Sequence, residues 1–347
     1  MAIAAMHLER EGRKESSPQS TRLYSLAMAE LRNSIDDGSV DYLGLLTTVL
    51  TFLFIEMFRG TSNTWRYHLS AGWKYLQHHC ASGTWTSSED AWYVTQSFYL
   101  LRIESETSLE WQDGVDLLED QISSSEDAVS LERLSRYTSF GSTIGASGSI
   151  LTRLSEINRL SRQLTQTGFG DGADPSFLDL EEVPIPGRNM NVLMLELGSV
   201  TSDDDQECIS VEKEAQQLHL RAFEVATVIY HHQIFGTSTP EQLAPYVHAV
   251  LYYITRFLEI CGGNYTLWPV VIAGVEAYTD DEMILFSTLF ENAKSVGMRN
   301  RVKAKQLMEG VWAIRSSIAT ETGQTPGNIR VNWRQVMRQL DIDVLLV

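Results

Sequence analysis

The chain has 347 residues, 43% of them hydrophobic, and its 27 basic and 45 acidic residues give a formal net charge of −18. So acidic a chain repels phosphate, which argues against direct binding of DNA, RNA or an anionic membrane. The three cysteines, Cys80, Cys208 and Cys261, form no CxxC pair and favour a reducing, intracellular compartment.

Helical periodicity recurs along the chain and strand alternation does not, which predicts an all-α fold, a large multi-helix bundle. A flexible tail is predicted at residues 1–20, and residues 104–127, which are polar and acidic, are predicted to form an exposed connection. Helices are predicted at residues 21–35, 40–59, 63–81, 150–164, 211–235, 240–261, 268–278, 280–296 and 299–318. A further helix is predicted to begin after a cap at Ser88.

Two further segments bear on the class of protein. Residues 40–58 are apolar and nearly long enough to cross a membrane, but Asp41, Glu56 and three threonines interrupt them, which favours a buried central helix. The Gly-, Pro- and acid-rich loop at about 168–190 either divides two helical lobes or is a long loop within one bundle. Its stretch "GFGDGAD" has no preceding strand and no P-loop lysine, so a solvated turn is predicted there rather than a nucleotide site.

No pattern in the chain predicts a catalytic, metal or cofactor site. His78 and His79 are adjacent, as are His231 and His232, and neighbours on a helix diverge by about 100°, so they do not easily grip one ion. No GxSxG motif is present, and Cys80 and Cys261 lack a catalytic context. An enzyme is therefore the least favoured class.

The stretch "TWRYHLSAG" places Trp65, His68, Leu69 and Gly72 on one face of a helix. A glycine inside a helix costs about 1 kcal/mol relative to alanine, so Gly72 predicts another helix packed closely against this face. We expect His68 to satisfy a buried polar contact rather than to perform chemistry.

Tryptophans recur within or beside the helical patterns. Each is most simply explained as an ordinary core residue. Together they leave a second interpretation open, in which Trp65, Trp92 and Trp268 line an apolar ligand between helices.

Three stretches in order resemble the fungal-specific transcription factor domain family, the regulatory region of zinc-cluster activators. The first pairs "LTFLFIEMFRG" with "WRYHLSAG", and the second is "GASGSILTRLSEINRL" at residues 145–160. The third is "LWPVVIAGVEAYTDDEMILFSTLF" at residues 267–290, and the ending "NWRQVMRQLDIDVLLV" also fits, so the resemblance covers about residues 20–347. The motif residues that we expect to be packing positions are Glu56, Gly60, Trp65, His68, Leu69, Gly72, Trp268, Pro269, Ala273, Gly274 and Glu276.

The resemblance implies a nuclear transcriptional regulator with a regulatory domain over residues 21–347. Family members usually carry six cysteines in an N-terminal zinc cluster, whereas no cysteine precedes Cys80 in this chain. We therefore expect a regulator without its own DNA-binding finger, acting on a fungal metabolic or biosynthetic gene set. Its expected partners are proteins of the transcription machinery or a DNA-binding subunit. The alternative is a sensor of an apolar, sterol-like molecule, since the related sterol uptake control proteins bind a sterol.

Overall fold

The computed structural model describes residues 17–60, 64–80, 83–108, 134, 146–167, 211–236, 238–261, 265–292 and 298–346. Over these residues the chain forms α-helices and two short 3-10 helices, at Thr84–Thr86 and Pro326–Asn328, and no strand. The all-α prediction is therefore confirmed. The helices are α1 Ser17–Asp36, α2 Tyr42–Arg59, α3 Thr64–Cys80, α4 Glu89–Thr107, α5 Gly148–Thr167, α6 Val211–Phe235, α7 Pro240–Cys261, α8 Leu267–Gly274, α9 Asp280–Asn292, α10 Arg299–Thr322 and α11 Trp333–Gln339.

Most helix starts follow from local capping chemistry. Ser88 accepts a hydrogen bond from the backbone N–H of Ala91, as the sequence predicts for the start of α4. The start of α7 is a capping box, in which the Thr239 N–H donates to Gln242 Oε1 and the Gln242 N–H donates to the Thr239 hydroxyl. Pro240 follows at the first helical position, where its missing N–H has no helical partner to lose.

Several helix boundaries differ from the prediction. Helix α1 begins at Ser17, with Pro18 in its first turn, so residues 17–20 of the predicted tail are helical. Helix α8 ends at Gly274 rather than at residue 278. Helix α10 ends at Thr322 rather than at residue 318, so it includes one polar turn after the last apolar residue of its pattern. Gly323, with a φ of 71°, follows it.

The chain divides into two compact units. Unit 1 contains residues 1–140, 295–304 and 341–347, and unit 2 contains residues 141–294 and 305–340. The loop at about 168–190, at which the sequence predicts a division, lies outside the described residues.

In unit 1, α2 packs against both α3 and α4. Its buried residues include Leu46, Phe52 and Leu53. By length and mean hydropathy, 1.5 over its 18 residues, α2 could cross a membrane, but 56% of that window is buried within the protein. Such burial is typical of the core helix of a globular domain, as the sequence interpretation has it.

In unit 2, α6 and α7 pack along each other and α8 packs against both, while α5 packs on α6. The core between them is aromatic. The Phe223 and Trp268 rings stack with centroids 5.6 Å apart, and Tyr230 meets Trp268 edge to face at 5.8 Å. The Tyr230 hydroxyl donates to Asn158 Oδ1 at 2.7 Å, which ties α6 to α5.

The prediction of an exposed connection over residues 104–127 is wrong for its first part. Residues 104–108 are buried, and α4 continues through Thr107. Arg102 Nε donates to Glu106 Oε1 at 2.9 Å, and the Thr107 hydroxyl donates to the Glu104 carbonyl oxygen, so much of this polar surface is satisfied locally. Burial raises the pKa of Glu104 well above its usual value.

Candidate functional site

The first family-like motif begins at the end of α2. Gly60 caps the helix in the left-handed conformation, with a φ of 58°, and its N–H donates to the Glu56 carbonyl oxygen at 2.8 Å. A Cβ atom at this position would lie 3.0 Å from the Arg299 carbonyl carbon. Both the backbone angle and the neighbouring chain therefore require glycine here.

The face of α3 that the sequence singles out is buried, with Trp65, Leu69 and Gly72 all inside unit 1. A Cβ atom on Gly72 would lie 2.6 Å from Phe98 Cζ and 3.2 Å from Val49 Cγ1. Gly72 is thus the point at which α3 closely approaches both α2 and α4. This is the close helix contact that the glycine predicts.

His68 makes the buried polar contact that the sequence predicts. Its Nε2 lies 2.6 Å from the Tyr24 hydroxyl, and its ring stacks on Phe52 with centroids 5.2 Å apart. Burial lowers the pKa of His68, and the Arg59 charge acts in the same direction, while Glu56 opposes them. His68 is therefore neutral at pH 7, which suits a hydrogen-bonded core residue.

The polar groups around His68 come from α1 and α2. Burial and the nearby Glu56 carboxylate raise the pKa of Tyr24 to about 12, although Arg59 opposes the shift. The Arg59 guanidinium lies 4.3 Å above the Tyr24 ring and 3.3 Å from Glu56 Oε1. The motif thus places one carboxylate, one guanidinium, one phenol and one imidazole together.

The third family-like motif forms α8 and the turn that follows it. Trp268, Pro269, Ala273 and Gly274 are all buried. Pro269 lies in the first helical turn, and a Cβ atom on Gly274 would lie 3.2 Å from Phe286 Cδ1. The small residues at the end of α8 therefore allow α9 to approach closely.

A cluster of side chains from three helices satisfies the polar groups at the end of α8. Arg315, which is 1% exposed, donates from Nη1 to the Ala277 carbonyl oxygen at 2.6 Å and from Nη2 to that of Val275 at 2.8 Å. Trp312 Nε1 donates to the Gly274 carbonyl oxygen at 2.8 Å. These donors bond carbonyl oxygens at the end of α8 that would otherwise need N–H groups of a further helical turn. Helix α8 can therefore end at Gly274, four residues before the predicted end at residue 278.

Glu276 lies at the centre of this cluster. Its Oε1 accepts a hydrogen bond from Gln233 Nε2 at 2.9 Å, and its Oε2 lies 3.5 Å from Arg315 Nη2. Trp333 Nε1 donates in turn to Gln233 Oε1 at 3.1 Å. Burial raises the pKa of Glu276, while Arg315 and Gln233 oppose the shift. Glu276 thus interacts with side chains, whereas Arg315 donates hydrogen bonds to the backbone carbonyl oxygens at the end of α8.

The three tryptophans proposed to line an apolar ligand are all buried. Trp65 and Trp92 belong to unit 1, and Trp268 belongs to unit 2. Trp268 packs on Phe223 and Tyr230, and Trp92 lies 4.8 Å from Tyr93 between ring centroids. A ligand-lining role for the three remains a prediction.

Sequence reasoning missed Arg315 and Gln233. The signal for Arg315 was present, because it continues the stripe of Ala304, Met308 and Val311, all of which are buried. A charged residue on a buried stripe must be paired or must bind backbone carbonyls. Gln233 carried no such signal, since an isolated polar residue near a helix end is ordinary.

The histidine pairs do not form a metal centre among the residues that the structure covers, where no three His, Cys, Asp or Glu side chains could hold an ion. His231 and His232 lie 5.8 Å apart between ring centroids. Burial lowers the pKa of both, and for His231 the neighbouring imidazole adds to the effect. His232 Nδ1 instead lies 3.0 Å from the Ser238 hydroxyl.

Comparison with known proteins agrees with the family resemblance of the sequence. The family described as "Fungal specific transcription factor domain" matches residues 1–347, the whole length of the chain. Neither the curated proteins nor the solved structures contain a significant match. The match over the entire chain shows that the chain belongs to the fungal-specific transcription factor domain family.

Proposed function

We propose that this chain, a transcriptional regulator by its family, acts through protein contacts and without a DNA-binding finger of its own. The observation that carries the proposal is the burial of both motif clusters, in which Gly72 and Glu276 serve packing and internal hydrogen bonds. Residues that pack and form hydrogen bonds inside the protein stabilise its fold, so contacts with partners must be made by surface residues. The net charge of −18 supports protein partners over nucleic acid.

A tethering experiment tests the protein-contact role. We expect residues 1–347, fused to an unrelated DNA-binding domain, to change the output of a reporter gene that carries the matching operator. The same fusion with Gly72→Leu is the matched control, since it disturbs the α3 packing face and should weaken the effect. A reporter that stays at its baseline with the wild-type fusion would contradict the proposal.

Direct DNA binding is tested separately with the purified chain. We expect the fluorescence anisotropy of a labelled duplex to stay unchanged at physiological salt, because binding needs basic contacts to phosphate. Reading the transcript upstream of Met1 completes the test. An in-frame six-cysteine cluster there, or duplex binding by the chain alone, would overturn the finger-less part of the proposal.

The family implies a nuclear role, and we propose that the chain is nuclear and controls a metabolic or biosynthetic gene set. We propose residues 21–347 as one regulatory domain with a loop at about 168–190. A tagged chain that stays in the cytosol, with no transcript altered by deletion of its gene, would contradict this role. The family is a class of transcription factors, and catalysis forms no part of the proposal.

A second candidate function is the sensing of an apolar small molecule with one polar atom. Trp65 Nε1 is buried and has no hydrogen-bond partner within the described ranges, whereas buried indole N–H groups usually have one. We expect a sterol-like ligand to raise the Tm of the protein, and Trp65→Phe, which keeps an aromatic ring but removes the N–H, to reduce the shift. A lipid extract and a Tm that show no ligand in the wild type would argue against sensing.

A further inference from the structure

Residues 342–346, which we call the strap, have no regular secondary structure and belong to unit 1. The strap has no helical hydrogen bonding, yet its apolar side chains are buried. These are Ile342, Val344, Leu345 and Leu346, at 7%, 2%, 2% and 1% exposure. The strap therefore occupies a groove in the way that a bound peptide does.

An ion pair sets the position of the strap in its groove. Arg66 of α3 donates from Nε to Asp343 Oδ2 at 2.9 Å and from Nη2 to Asp343 Oδ1 at 2.6 Å. The Arg66 guanidinium also lies 4.2 Å over the Trp65 ring, which holds it in place. A bidentate pair of this kind is directional, so it specifies an acidic residue at one position of the bound segment.

The start of α10 supplies the second wall of the groove. Residues 299–304 of this helix belong to unit 1, and Asn300 Nδ2 donates to the Leu345 carbonyl oxygen at 3.3 Å. The groove thus recognises both the backbone and the side chains of the strap. Its specificity is for an apolar residue, an acid and then three apolar residues.

A single hinge residue leads into the strap. Leu340 caps the end of α11, where its N–H donates to the Val336 carbonyl oxygen. Asp341 follows with a φ of 51°, and among the described residues it alone has a positive φ without being glycine. An L-residue is strained in this conformation, and strained hinges favour exchange of the segment that follows them.

We propose that the groove also accepts the strap of a second copy of this chain, so that two chains exchange straps and form a dimer. Each contact that holds the strap within one chain is available between two chains, because the exchanged segments are identical. The exchange also allows Asp341 to leave its left-handed conformation. This inference goes beyond the proposed function and does not depend on it.

Charge reversal distinguishes a strap bound within its own chain from an exchanged one. Arg66→Asp places two acids together in its own chain, and Asp343→Arg places two guanidinium groups together. In an exchanged pair of these two variants, one groove holds Arg66 with Asp343 and the other holds the reversed pair. Both interfaces of the mixed dimer are then complementary, whereas neither variant is complementary alone.

We expect light scattering after chromatography to show a doubled mass for the equimolar mixture, and predominantly single chains for each variant alone. The matched control is the double variant Arg66→Asp with Asp343→Arg, which restores the pair within one chain and should match the wild type. If circular dichroism shows both single variants to be helical and their mixture contains only single chains, the proposal is overturned.

The hinge provides a second test that leaves the groove untouched. Asp341→Pro fixes φ near about −65°, which excludes the observed hinge conformation, so we expect the dimer fraction to rise. Asp341→Gly relaxes the strain, and we expect the dimer fraction to fall below that of the wild type at equal concentration. Equal dimer fractions in these two helical variants would overturn the proposal even if the charge variants failed to fold.

Discussion

Arg315 holds the turn after α8 by donating to the carbonyl oxygen of Ala277 at 2.6 Å, across 38 residues of sequence. The same guanidinium serves the carbonyl oxygens of Val275 at 2.8 Å and Ile329 at 3.1 Å. One planar side chain therefore satisfies three backbone acceptors inside unit 2. Its fixed fork suits it to this task, which a lysine could perform only in part.

We expect Arg315→Met to lower the free energy of unfolding by about 3–5 kcal/mol, because it leaves buried carbonyl oxygens unpaired and removes the positive partner of Glu276. Arg315→Lys should be intermediate, since one ammonium group cannot reach all three carbonyls. Urea denaturation followed by circular dichroism measures both variants.

The matched control is Arg256→Met on α7, which removes an exposed arginine from the same unit. Its ion pair with Glu259 is solvated, so we expect Arg256→Met to unfold at nearly the same urea concentration as the wild type. If Arg315→Met and Arg256→Met unfolded at the same urea concentration, the Arg315 cluster would not be the stabilising element that its geometry indicates.

The sequence predicts those parts of the fold that depend on neighbouring residues. The cap at Ser88 and the capping box of Thr239 and Gln242 each involve only four consecutive residues. Periodicity and cap chemistry therefore locate the helix starts from the sequence. The packing face around Gly72 was predictable for the same reason. A glycine within an apolar helical stripe has few explanations other than a close neighbour.

The remainder depends on contacts between residues that are distant in sequence. The end of α8 is set by Arg315 and Trp312, about forty residues downstream, and no local pattern shows this. The burial of Glu104 and Glu106 was missed because a polar and acidic stretch of sequence is normally expected to be exposed to solvent. The Arg102 pairing and the side-chain bonds to carbonyls become evident only once α4 lies inside unit 1.

Gly72→Leu should destabilise the protein by about 1–3 kcal/mol through overpacking against Phe98 and Val49. Gly72→Ala should also destabilise it, despite the better helix propensity of alanine, because the Cβ atom itself overlaps Phe98. The control is Ala71→Leu, an addition on the exposed side of α3. Thermal melting should leave Ala71→Leu near the wild type, and a Gly72→Leu variant that melted with it would show that the face can expand.

His219 should make stability depend on pH between about 4 and 6.5. Burial lowers the pKa of His219 from 6.5 to about 4, and its ring stacks on Phe257 with centroids 4.7 Å apart. The unfolded chain binds a proton below pH 6.5 that the folded chain takes up only near pH 4, so stability falls as the pH falls through this window. The loss at the acidic end should be about 3 kcal/mol.

The His219→Phe variant keeps a ring of similar size and should lose this pH dependence, while His78→Phe, at an exposed position, should keep it. Urea midpoints measured at pH 7, 5.5 and 4 provide the comparison. Ring signals in NMR spectra that showed His219 protonated at pH 6 would contradict the assignment.

Glu282 should make the stability of the protein depend on pH over a lower pH range than His219 does. Its burial acts to raise its pKa, but hydrogen bonds from His248 at 2.7 Å and from the N–H groups of Tyr278 and Thr279 outweigh burial and bring the pKa to about 2. The stabilisation is therefore complete above pH 4.5 and is lost as the pH falls toward 2. Solvent screens the partly exposed His248, so we expect a loss of about 2 kcal/mol, below the full value of the shift.

Glu282→Gln keeps an oxygen that can accept from the Thr279 N–H, so it isolates the charge from the capping geometry. We expect its unfolding free energy to be lower than that of the wild type at pH 5 and to approach it near pH 2, because only the wild type loses a carboxylate there. Glu321→Gln, at an exposed site on α10, should follow the wild type at every pH. Parallel curves for Glu282→Gln and the wild type between pH 5 and pH 2 would mean that the Glu282 charge does not stabilise the start of α9.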